Sequence, residues 1–202
     1  MKDSTQVALF FNEGTIYNPT KVANALKDKI ENIGDPVLLP INLQAPKEAN
    51  IPFIIFNQAV DIQVVANFNN IILTFRNSYL KDVEKISDEI FDIFKSEGIA
   101  FRRIGYVPSI FLEKNEIEKF KEECMTSEIF NSTVDFQFAW LKKLDFMDLK
   151  INCWKRVITD TSKFDNMLNI YDFNTDETVS INVNKEFIND FLNFCNEYIK
   201  NN

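Results

Sequence analysis

The stretch VDIQVVA (Val60–Ala66), NFNN (Asn67–Asn70) and IILTFR (Ile71–Arg76), followed by LKDVEKISDEIFDIFKSEG (Leu80–Gly98), decides the fold class. Its first and third pieces are rich in β-branched and aromatic residues, and the piece between them is mostly asparagine. Asparagine tolerates the left-handed backbone that tight loops need, so the pattern predicts a β-hairpin. In the next segment Val83, Ile86, Ile90, Ile93 and Phe94 recur at helical spacing, and Gly98 supplies a stop. A hairpin followed at once by an amphipathic helix packs that helix on the sheet.

Toward the N-terminus, Thr5–Asn12 is a mostly apolar run closed by Glu13-Gly14, the pattern of a strand buried on both faces. Asn18-Pro19 reads as an N-cap with proline at the first helical position, and Val22, Ala23, Leu26, Ile30 and Ile33 keep helical spacing until Gly34. Pro36, Pro40 and Pro46 limit Val37–Ile41 to an edge strand or a draped segment, because proline cannot donate to a ladder. Ile51–Phe56 reads as a strand.

Toward the C-terminus, Ala100–Leu112 has a strand pattern interrupted by Pro108, followed by a charged helix with Ile117, Phe120 and Cys124 on one stripe. Val134, Phe136, Phe138 and Trp140 alternate with Asp135, Gln137 and Ala139, predicting a strand with one buried face and Trp140 packed inside. Leu149–Ile158 and Met167–Phe173 extend it into an antiparallel meander. The last helix runs from Asn184 as cap to Lys200, with a broad apolar stripe that includes Phe187, Phe191 and Cys195. Strand runs punctuated by single helices predict an α+β protein, mainly antiparallel, with about four helices on one face of its sheet or sheets. The element order allows two similar sheet-and-helix layers, 1–125 and 126–202, as tightly packed subdomains. With no Gly/Ser-rich or proline-rich linker between them, one domain over 1–202 is the favoured reading.

The chain has 202 residues, 46% hydrophobic and 26% charged, with 22 Lys and Arg against 30 Asp and Glu and a net charge of -8. That charge opposes nonspecific attraction to nucleic acid and to anionic membranes. Histidine is absent, which excludes Ser-His-Asp and Cys-His catalysis and every zinc site that uses imidazole. Four glycines, Gly14, Gly34, Gly98 and Gly105, are too scattered for a phosphate-cradling loop. Cys124, Cys153 and Cys195 are likewise scattered, as expected of reduced thiols in a cytoplasmic protein. The polar Met1–Gln6 start lacks a signal-peptide core, and no apolar run reaches membrane-spanning length. The abundance of Asn, Ile, Lys and Phe is what an AT-rich coding sequence gives and points to a bacterial, phage or mobile-element source.

Candidate sites are few. Trp154 breaks the alternation set by Leu149, Ile151 and Cys153 and is expected to face outward. With Lys155 and Arg156 it forms the leading interface candidate, since Trp and Arg are enriched among binding hot spots. Arg76, Arg102 and Tyr106 are candidates for an anion-binding patch, because guanidinium forks hold phosphate bidentately. Alternation puts Arg102 and Arg103 on opposite faces, so only one joins any given patch. Asp135, Asp145 and Asp148 are weak magnesium candidates, with Lys142, Lys143 and Lys150 near them. Asp172–Ser180 has oxygen-bearing residues at calcium-loop spacing, but Glu177 stands where the turn needs glycine, and a solvated turn between strands is the better reading. Lys142-Lys143 and Lys155-Arg156 read as charges guarding sheet edges. Cys124, beside Glu122 and Glu123, is a poor nucleophile.

These features favour a non-enzymatic cytoplasmic interaction module, a regulator or inhibitor whose acidic surface meets a basic, nucleic-acid-handling protein. No cofactor and no membrane is expected, and direct nucleic-acid binding is disfavoured. The alternative is a small-ligand or nucleotide-binding protein, or a metal-dependent nuclease, using Arg76, Arg102 and the Asp135/Asp145/Asp148 carboxylates. A third reading, a subunit of a larger assembly, predicts self-association through an uncovered sheet edge.

Overall fold

Asn67 builds the hairpin turn. Its Oδ1 accepts the backbone N–H groups of Asn69 at 2.7 Å and Asn70 at 2.9 Å, the local bonding that lets asparagine hold a tight turn. The strands it joins belong to a computed structural model that describes residues 2–40, 51–57, 59, 61–124, 137–160, 163–176 and 181–202. In chain order its elements are β1 (Lys2–Phe11), α1 (Pro19–Lys29), β2 (Val37–Leu38), β3 (Ile54–Phe56), β4 (Ile62–Ala66) and β5 (Asn70–Arg76). A 3-10 turn (Asn77–Lys81) leads to α2 (Val83–Ser96), β6 (Phe101–Phe111), α3 (Lys114–Cys124), β7 (Gln137–Phe146), β8 (Leu149–Asp160), β9 (Lys163–Thr175) and α4 (Lys185–Lys200). The protein is α+β.

Local chemistry sets the helix ends. Asn18 accepts from the Lys21 N–H at 3.1 Å with Pro19 opening α1, and Asn184 accepts from the Phe187 N–H at 2.8 Å to open α4. Glu116 Oε2 reaches back to the Glu113 N–H at 2.7 Å at the start of α3. α1 closes before Gly34, because Asn32 and Gly34 take φ of 57° and 86° and turn the chain out while Ile30 and Ile33 remain buried.

Among the described residues all nine strands join one sheet in the order β2-β3-β4-β5-β1-β6-β9-β8-β7, antiparallel throughout. The order is a topological repeat. β1 and β6 lie side by side at the centre, and each leads through a helix to an outer edge strand. A meander then returns to pair beside its own starting strand and ends in a second helix, α2 in one half and α4 in the other. The halves meet between α2 and β6. One continuous sheet carries both.

Pro108 sits within central strand β6, opposite Thr5 of β1. On its other side the pairing with β9 is made at Gly105 and Tyr106, lapses at Val107 and Pro108, and resumes at Ser109 in the same register. The missing proline N–H is accommodated by that gap, and the strand continues through it.

All four described helices pack on one face of the sheet. Phe11, Phe94, Phe101 and Tyr17 meet there with ring centroids 4.9 to 5.9 Å apart, contacts worth roughly 0.5–1.5 kcal/mol each beyond burial. Phe146 of β7 packs against Phe187, Phe191 and Phe194 of α4. Ile117 of α3 joins Val157 and Met167 in a smaller cluster.

The opposite face carries no helix among the described residues, which corrects the first of three expectations. β1 is not buried on both faces: Val7, Leu9 and Phe11 are buried under helices, while Gln6 is exposed and Ala8 and Phe10 are half-buried on the open side. Trp140 is not inside. It points to the helix-bearing side, but β7 is the last strand and lies at the margin of that layer, leaving Trp140 42% exposed. Asp172–Thr175 is not a turn, since β9 runs through Thr175; residues 177–180 lie outside the described residues.

Candidate interaction face

The pairing registers assemble the open face row by row. One row crosses all nine strands: Val37, Ile55, Val65, Ile72, Ala8, Gly105, Asn174, Asn152 and Lys143. It is apolar in the first half of the chain and polar in the second. At Gly105 an added Cβ would make only ordinary contacts, with the Phe173 carbonyl oxygen at 3.7 Å and the Ala8 Cβ at 3.8 Å.

The next rows toward the other end of β8 form an apolar patch. Trp154 pairs with Leu141 on β7 and Asp172 on β9. Arg156 pairs with Ala139 and Ile170, and Ile158 with Leu168, which in turn faces Phe111. Trp154 is 40% exposed, Leu141 43% and Phe111 38%. Within the patch Arg156 donates to Asp172 Oδ2 at 3.2 Å, while Asn174 donates to Asp172 Oδ1 at 3.1 Å. The charges are therefore matched locally, and the apolar side chains are left as the free contact area.

The sequence-level interface candidates divide between the faces. Trp154 and Arg156 stand on the open face. Lys155 points to the helix side, where its Nζ lies over the rings of Trp140 at 5.6 Å and Tyr171 at 5.0 Å and donates to the Asn202 carbonyl at 3.3 Å. Leu141, Ala139, Ile170, Leu168 and Phe111 were not singled out from sequence. They come from three strands, β6, β7 and β9, and only the register brings them beside Trp154.

The anion-binding candidates are not brought together. Arg76 ends β5 opposite Ser4, exposed on the open face. Arg102 lies near the other end of β1, about 23 Å away at ~3.3 Å per residue, and pairs with Glu13 at 3.0 Å. Tyr106 is buried on the helix side, donating to Asn196 Oδ1 at 2.9 Å, and burial raises its pKa well above the ordinary tyrosine value. Arg103 lies on the open face with its guanidinium carbon 4.7 Å from the Phe10 ring centre.

Of the carboxylate candidates, Asp145 is ion-paired with Lys150 across the β7–β8 hairpin, and Asp148 is exposed at its turn. Asp135 lies outside the described residues. No group of three or more His, Cys, Asp or Glu is positioned to hold a metal ion among the described residues. A cleft of about 630 Å³ between the end of α1 and the start of α2 is lined by lysines and carboxylates of both signs, including Lys29, Glu31, Asp61, Lys85 and Glu89. Cys153 and Cys195 are buried, and burial pushes the Cys153 thiol up to about 11.

Among the described residues no helix is long and apolar enough to cross a membrane. No protein-family model and no curated protein matches the chain.

Proposed function

We propose that the protein is a non-enzymatic interaction module, a regulator or inhibitor that docks a basic protein partner on the open face of its sheet with Trp154 as the anchor. The observation that carries this reading is the patch itself: a half-exposed tryptophan flanked by Leu141, Ala139 and Ile170, with the one Arg–Asp pair inside it already matched. Burying such a patch needs no new partner for a buried charge, and tryptophan is enriched among desolvated hot spots. Nine strands at ~4.8 Å span roughly 40 Å, wide enough for the ~800 Å² per partner of an ordinary specific interface.

The net charge of -8 supports a basic partner. Much of that acidity lies on the helical layer, in side chains such as Glu84, Asp92, Glu118, Glu122, Asp190 and Glu197, all exposed. It acts at a distance, raising the association rate, while the apolar patch sets the dissociation rate. A nucleic-acid-handling enzyme has the required basic surface. The buried free thiol Cys153 supports a reducing, cytoplasmic setting.

The test is affinity capture from nuclease-treated lysate of the source organism at low and at ~0.5 M salt, with wild type and folded Trp154→Ala in parallel. The expected result is a stoichiometric basic partner held by wild type and weakened by Trp154→Ala by about 2 kcal/mol, roughly thirtyfold. Equal retention by both proteins, or a partner of acidic character, overturns the reading.

A further inference from the structure

The two edges of the sheet are unlike. β2 is two residues long and lies between Pro36 and Pro40, so that edge offers little backbone for pairing. β7 is ten residues long, Gln137–Phe146, without proline or glycine, and no described residue pairs with its outer side. Phe138, Trp140 and Leu141 are 37%, 42% and 43% exposed along it. Lys142 is drawn toward the helix side, with its Nζ 5.5 Å from the Tyr198 ring centre.

We infer that β7 pairs antiparallel with β7 of a second copy, in register about Leu141, joining two sheets into one. A two-fold axis normal to the sheet keeps the faces of the two copies aligned, so paired residues must share a face. Centring on Leu141 satisfies this and pairs nine residues, Gln137–Asp145 of each copy. Trp140 then stands opposite Lys142 of the second copy, Phe138 opposite Leu144, Ala139 opposite Lys143 and Gln137 opposite Asp145. No like charges oppose each other, and the aromatic–cation and apolar pairs are those that stabilise cross-strand contacts. Centring on Lys142 sets that lysine against its own copy, and centring on Trp140 pairs only seven residues. The strand is thus self-complementary in one register.

Sedimentation velocity of the full chain across a wide concentration range tests this. The expected result is a concentration-dependent shift from 23.6 kDa to twice that mass for wild type. Leu141→Lys and Leu141→Glu each remain monomeric, because the axis then sets like charges together, and an equimolar mixture of the two regains the dimer. Unchanged circular dichroism and melting of each variant keep the result separate from misfolding. A wild type that stays monomeric throughout, or a dimer indifferent to both substitutions, overturns the inference.

Discussion

Tyr106, Tyr17 and Cys153 are the ionisable side chains that folding disturbs most clearly among those described, and all are disturbed the same way. Burial raises each above its ordinary pKa, the thiol to about 11. The folded protein keeps these protons where the unfolded chain releases them, so stability falls as pH rises through that range. With no histidine in the chain, nothing of that type titrates between about pH 6 and 8. Urea midpoints measured against pH should be flat across that interval and fall above about pH 9, first with Cys153 and then with the tyrosines. A marked loss of stability between pH 6 and 8 contradicts this assignment. The same scale shows what a sequence reveals of a site. Trp154 stood out because it broke a local alternation, whereas Asp172, its cross-strand neighbour, gave no local sign of sharing its surface. Lys155 was grouped with Trp154 by adjacency, although neighbours on a strand point to opposite faces.

At the scale of elements, the asparagine caps of α1 and α4 carry a measurable share of stability. Asn18→Ala and Asn184→Ala should each cost about 1 kcal/mol in chemical denaturation with unchanged m-values. The two caps are on different helices and share no hydrogen bond, so the double variant should lose close to the sum. Substitution by serine should restore most of the loss at either position. A null effect at Asn184 shows that the cap does not hold the start of α4. The caps, the hairpin turn at Asn67 and the helical stripes were legible because each depends on residues a few positions apart. Pro108 was legible as an interruption but not as a tolerated one. What saves the strand is a gap in its ladder with β9, a partner some sixty residues away in sequence. Trp140 failed for a related reason: alternation gives the face a side chain takes, but not whether its strand lies at the margin of the helical layer.

At the scale of the molecule, one arrangement sets both proposed surfaces. Two strand–helix–meander–helix halves share a sheet, and the four described helices occupy one side of it. Among the described residues the other side is left as a broad surface, and the outermost meander strand of the second half is left as a long edge. The fold class was legible from element order, but the repeat was not, because it lies in strand pairings and not in residue similarity. The central claim is that the face bearing Trp154 is open and is the binding surface. Hydroxyl-radical footprinting read by mass spectrometry, on the free protein and on its captured complex, tests it most directly. Trp154 and Phe111 should oxidise readily in the free protein while Tyr106, Tyr171 and Phe173 are spared, and Trp154 should become protected in the complex. A Trp154 as protected as Tyr106 in the free protein, or one still fully reactive in the complex, contradicts the account.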